Sequence, residues 1–378
     1  MPFENKKREP SGSLVVQNVM AATDHNTKIT KIMLDNLKFS ITDQNIIQRL
    51  LCFAEEEMTP RKPQNNNYVC YSKFGALMRF DFRKSMENGC LVGFRHVEVS
   101  ISPHYHFNSY MHNGNDFKPV NCLKTLKNIF TLLQIRNSEF DLLKVVNIEY
   151  GLNIILKADV KNLIEGISFH KRTPFIVPDT SKPYFKITDA TKYKQIKAYA
   201  KGLQFIDKPE YGIDPNTFRF EVKSKQSKCI AKSGINTIKD LFNDKVYEEL
   251  YQSILDEWEN VLVLNDCLQD TQYLKTAVQK EYWERIMNDK HRIKFIRERE
   301  KYYKELTAKN NFHHQIKLLI IDKVTSFQNV MNSTQKIAMN REKANIRGEP
   351  SPLINLESVT NNIIISKNSR FGLGTSSI

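Results

Sequence analysis

The stretch HVEVSISPHYHFNSYMHNGNDF, His96 to Phe117, opens with apolar residues at alternate positions, Val97, Val99 and Ile101. That spacing is the signature of a strand with one buried face. If the strand runs on, His104 and His106 sit two residues apart and project to the same side. Two imidazoles so placed can hold one divalent cation between them. His112 follows in a polar loop with Asn113, Asn115 and Asp116. The competing reading is a pair of surface histidines on an edge strand.

Working outward, the same alternation occurs upstream in YVCYSKF and ALMRFDFR, and FRHVEVSIS continues it into the quoted stretch. Before them, DQNIIQRLLCFAEEE has helical spacing, with Asp43 as N-cap. Downstream, VNCLKTLKNIFTLLQI reads as an amphipathic helix and VVNIEYGLNIIL as a strand. YKQIKAYAKGLQF and TFRFEVKSK are two further strands, joined by turn-rich sequence as a hairpin. From Thr237 the period becomes helical, in IKDLFNDKVYEELYQSILDEWENVLVL and again from Tyr273 to Met331. The fold class expected is therefore α+β: a mostly antiparallel sheet with flanking helices, then a helical C-terminal region. The divisions are a flexible N-terminus over 1–29, an α+β catalytic unit over 30–235, a helical unit over 236–345 with DNA or partner contacts, and a disordered tail over 346–378.

The 378 residues carry a formal net charge of +14, and 40% are hydrophobic. A chain this apolar can build a core, and one this basic suits a polyanion, with nucleic acid the default. The six cysteines are scattered without a CxxC pair, which argues against a zinc ribbon. The charged start MPFENKKREPSG is unlike a signal peptide, and no apolar run is long enough to span a bilayer. A cytoplasmic protein with reduced thiols is expected, without a membrane partner. GxxxxGK[ST] and GxGxxG are both missing, which argues against P-loop ATP hydrolysis and dinucleotide binding.

A histidine pair needs a third ligand, and Glu98, Glu149 and Glu221 all fall on strands. A metal-bound phosphodiester is open to attack by a tyrosine phenolate, which then stays joined to the phosphate. Tyr193 and Tyr199 are spaced to share one strand face, among Lys192, Lys194, Lys197 and Lys201. Either is a candidate nucleophile, and either can equally be an ordinary strand residue. The basic, aromatic stretch DKHRIKFIREREKYYKE can track a phosphate backbone, or can be a solvated helix face.

Several segments, in order, resemble the phage and plasmid replication initiation proteins related to the filamentous-phage gene II replication protein, relatives of the HUH endonucleases. They are VEVSISPHYHFNSYMHNGNDF, NIEYGLNI, SFHKRTPF, QIKAYAKGLQF and FRFEVKSKQSKCIAKSGINTIKDLF, and they span about residues 95–260. The resemblance implies a rolling-circle initiator with an HUH-like sheet, which nicks one origin strand through a 5′-phosphotyrosine and later rejoins the displaced strand. It implies Mg²⁺ or Mn²⁺ as cofactor, and single-stranded or supercoiled origin DNA as partner. A host helicase and polymerase would extend the 3′ end in a bacterial cytoplasm. On that resemblance His104, His106, Glu149 and Glu221 are candidate metal ligands, and Tyr199, Tyr193 and Lys201 candidate catalytic residues. Lys197, Arg219, Lys223, His112 and Asn115 are candidate DNA contacts. The alternatives are an origin-binding initiator or regulator that does not cut, and an RNA-binding structural protein.

Overall fold

Strand alternation and helix caps recur along the chain where the sequence places them. A computed structural model describes residues 32–61, 67–265, 271–288, 291–306 and 311–323. The expected N-terminal segment 1–29 and tail 346–378 lie outside the described residues. In chain order the elements begin β1 (Met33–Ile41), α1 (Gln44–Glu57), β2 (Met58–Arg61), β3 (Tyr68–Ser72), β4 (Gly75–Glu87) and β5 (Cys90–Ile101). Then come α2 (Pro103–Phe107), α3 (Pro119–Leu132), β6 (Lys144–Ile155), α4 (Val160–Gly166), β7 (Ile167–His170) and β8 (Thr173–Pro174). β9 (Phe185–Thr191), β10 (Lys194–Ala200), β11 (Thr217–Ser224), α5 (Ser227–Ile230), α6 (Asp244–Glu259) and β12 (Val261–Val263) follow. The last are α7 (Gln272–Ala277), α8 (Lys280–Asn288), α9 (Arg292–Glu305) and α10, over residues 312–323.

Nine strands form one sheet in the order β2-β3-β4-β5-β1-β6-β11-β10-β9, and every pairing in it is antiparallel. The α+β class read from sequence is the class observed. Because strands alternate, one sheet face is apolar and the other can be polar. On the apolar face Phe39 meets Phe130 of α3, and Phe218 and Phe220 meet the Trp258 ring of α6. Local signals hold these elements at their ends. The Asp43 carboxylate accepts from Ile46 N at the start of α1. Thr237 and Asp240 form a reciprocal capping box ahead of α6.

The main core runs past residue 235. Ile235 is itself buried in it, as are Tyr247, Leu250, Trp258 and Val263. A second cluster gathers Phe169, Leu262, Trp283, Phe295 and Tyr302. It rests on a three-stranded sheet, β12-β7-β8. The change from strand to helical period at 237 thus falls within one core, because α6 spends its apolar face on the large sheet.

Candidate functional site

The polar face of the central strands carries a buried cluster of charge. Alternation puts Glu149 on β6, Arg219 and Glu221 on β11, and Lys197 and Tyr199 on β10 toward one side. Register then sets them against each other: Lys197 pairs with Glu221, Tyr199 with Arg219, and Lys223 with Glu149. Asp35 joins from β1, at a register shift between Leu34 and Asn36. Gly151 sits opposite Glu221. A Cβ there would lie 2.7 Å from Glu221 Cγ and 2.5 Å from the Phe220 carbonyl oxygen, so only glycine leaves the floor of the cluster clear.

Asp35, Glu149 and Glu221 bring one carboxylate oxygen each to within 4.8 Å of one another. Such an all-oxygen set suits a hard divalent cation. The same carboxylates are also met by bases. Lys197 bonds Glu149 and stands 3.6 Å from Glu221, and Lys223 is 3.1 Å from Glu149. Arg219 Nη1 lies 3.4 Å from Asp35 and 3.5 Å from Glu221. The Tyr199 hydroxyl donates to Glu221 Oε1 at 2.6 Å.

Burial and neighbours divide the acids. Burial alone would raise the Asp35 carboxyl, but Arg219, His104 and Lys201 hold it well below the usual range. Glu149 is likewise lowered against its burial by Lys197 and Lys223. Glu221 goes the other way: burial and the nearby Asp35 charge push it up to about 7. Burial and the Arg219 charge push the Lys201 ammonium down to about 7. Burial, with the Glu221 charge, holds the Tyr199 phenol well above its ordinary value.

The loop after β5 roofs the cluster. Asn153 Nδ2 donates to the carbonyls of Gly114 and Asn115 at 2.8 and 2.9 Å. Arg219 also donates to the Asn113 carbonyl. Asn113 spans the roof, donating to both Asp35 oxygens and accepting from Lys201 Nζ at 2.6 Å.

The histidine pair is where the sequence reading fails. The strand ends at Ile101, and Pro103 opens the one-turn helix α2 with Ser102 as its N-cap residue. Proline is favoured at a first helical position, where no N–H is needed. On a helix, residues two apart diverge. His104 is fully buried, with Nδ1 3.2 Å from Asp35 and Nε2 2.8 Å from Asn115. His106 points instead to the Tyr110 hydroxyl, 2.7 Å away. His104 therefore orients Asp35 and the roof, and the two histidines do not converge on one point.

The other candidates separate in the same way. Glu98 bonds Lys38 and Arg83 on another part of the sheet. Tyr193 falls in the turn between β9 and β10, with its backbone N–H on Thr191 Oγ1. It shares no strand face with Tyr199, and lies six residues or roughly 20 Å of strand away. Arg219 is fully buried and Lys197 is largely so, which makes them internal partners of the carboxylates rather than surface contacts for DNA. His112 is buried against the Tyr211 ring, and Asn115 is spent on His104 and Asn108. Asp35 and Asn153 were not singled out from sequence. The available signal was Asp35 standing in the alternate series whose other members, Met33, Leu37, Phe39 and Ile41, are apolar.

No protein-family model matches the chain, and no curated protein matches its sequence.

Proposed function

We propose that the protein is a rolling-circle DNA replication initiator that nicks one origin strand by attack of Tyr199. The observation that carries this reading is the Tyr199 hydroxyl, hydrogen-bonded to Glu221 inside a cluster of three carboxylates. A nucleophile in contact with a base, beside groups able to take up phosphate charge, is the arrangement that transesterification of a phosphodiester needs.

In this reading the Tyr199 oxygen bonds to phosphorus as the bond from phosphorus to the 3′ oxygen breaks. The phenolic proton passes to Glu221, whose carboxyl near 7 suits a base at neutral pH. Lys201, also near 7, gives a proton to the departing 3′ oxygen. The products are a 5′-phosphotyrosine and a free 3′ hydroxyl, and a later 3′ hydroxyl reverses the step to close a circle. Mg²⁺ or Mn²⁺ held by Asp35 and Glu149, with Glu221 left free to take the proton, would supply Lewis-acid polarisation of the phosphate. Tyr199 is 4% exposed, so the reaction requires its cover to open as DNA seats. A host helicase and polymerase would extend the 3′ end.

A second reading is an origin-binding initiator that does not cut. It is favoured by the acids being already matched with Arg219, Lys197 and Lys223. Incubation with labelled single-stranded DNA and Mn²⁺, resolved on a denaturing gel, separates the two. The first expects a covalent adduct that persists in Tyr193→Phe and disappears in Tyr199→Phe. Tight DNA binding without an adduct in the unaltered protein establishes the second.

A further inference from the structure

A cavity of about 650 Å³ opens beside Tyr199, at the β9 edge of the sheet. Four aromatic rings contribute to its walls, Tyr105 from α2, Tyr184 and Phe185 at the start of β9, and Phe205 after β10, beside the paired Asp179 and Lys182. Pro178 and Pro183 stiffen the loop on its outer side. Three contacts tie it to the carboxylate cluster. The Phe185 ring lies 4.9 Å from that of Tyr199. Lys201 Nζ stands 5.0 Å over the Phe205 ring. Tyr105 is the immediate chain neighbour of His104, which bonds Asp35.

The lining has both flat apolar faces and unused polar groups. The hydroxyls of Tyr105 and Tyr184 make no hydrogen bond among the described residues. Lys161 Nζ sits 5.6 Å over the Tyr184 ring, adding positive charge at the rim. The size lies within the range of small-ligand pockets. Flat rings beside cations on a chain of charge +14 suit a planar group attached to an anion, which describes a nucleotide in a single strand. A phosphate alone leaves the rings unused, and a neutral apolar ligand leaves the lysines unused.

We propose that this pocket takes one unpaired base of single-stranded DNA, stacked on its tyrosine and phenylalanine rings. The seated base fixes which phosphodiester lies before Tyr199, so the pocket sets the register of the strand. The inference rests on the nicking reading for that last consequence only, because a base stacks whether or not the strand is cut.

The test therefore uses protein that cannot cut: Tyr199→Phe, in EDTA, with oligothymidylate carrying 5-iodouracil. Irradiation joins 5-iodouracil to aromatic rings in contact with it. Cross-linked peptides are expected at Tyr184, Phe185, Tyr105 or Phe205. Anisotropy titration should give single-strand affinity about 5–100-fold weaker in Tyr184→Leu, and a smaller loss in Tyr184→Phe, which keeps the ring and removes only the hydroxyl. Cross-links confined to other residues, equal affinity in Tyr184→Leu, or a preference for oligouridylate each overturn the proposal. A metal-dependent adduct with no cross-link here preserves the nickase without the pocket. Cross-links here with no adduct in the unaltered protein preserve the pocket without the nickase.

Discussion

Arg219 is the residue on which the buried cluster turns. It is fully enclosed and touches Asp35, Glu221, Asn153 and the Asn113 carbonyl. Arg219→Met keeps much of its bulk but strands two carboxylates in a dry site. Loss of one partner from a buried ionic network costs about 3–5 kcal/mol. Urea denaturation should show that loss, and a change under 1 kcal/mol would mean that water already reaches the cluster. Much of this site was readable in advance. Period-two spacing alone puts Lys197, Tyr199, Arg219, Glu221 and Glu149 on shared faces once their segments are taken as strands. Asp35 was not readable, because its partners lie far along the chain and its orientation depends on a register shift in β1. His106 was misread for a local reason: Pro103 starts a helical turn where alternation suggested more strand.

At the scale of elements, Glu257 of α6 joins that helix to the strands beneath it. Its carboxylate accepts from His170 of β7 at 2.8 Å and from Lys194 of β10 at 2.7 Å. Burial would raise its pKa, but His170 and Lys194 bring it down from 4.5 to about 2. A folded-state value below the unfolded one adds stability at pH above 4.5, and that stability is lost as pH falls toward 2. The shift corresponds to roughly 3 kcal/mol. Unfolding of the native chain and of Glu257→Gln, compared at pH 7, 4.5 and 2.5, should show a gap that closes only at the lowest pH. A gap independent of pH would remove the carboxylate charge as its cause. The elements themselves were legible wherever alternation and caps agreed, as in β10, β11 and α1. The three-residue β12 and two-residue β8 were not, because segments so short carry no period.

The whole molecule has two apolar cores that share short strands. Ile167 and Val263 belong to the first, while Phe169 and Leu262 belong to the second. Neighbouring residues of β12 face different cores, Ile167 and Phe169 of β7 follow their partners across a register shift, and neither core can lose those strands alone. Calorimetry should give a single cooperative transition; two resolved transitions would mean that the second cluster folds independently. That sharing hides a boundary from sequence reading, since a change of period does not mark a change of core. The charge cluster has a further consequence at this scale. Asp35, Glu149 and Glu221 stand against Arg219, Lys197, Lys201 and Lys223, three acids to four bases. The acids there are matched by bases, so nearly all of the excess of +14 lies outside the cluster. Encounter with a polyanion is then governed by long-range attraction, and what happens after contact by short-range packing. The association rate with single-stranded DNA should drop about 10-fold or more between roughly 50 and 200 mM salt. The dissociation rate, set by short-range packing, should change much less. Under the proposed function, ionic strength would decide how often the protein finds a strand, and leave the time it spends there to stacking and hydrogen bonds.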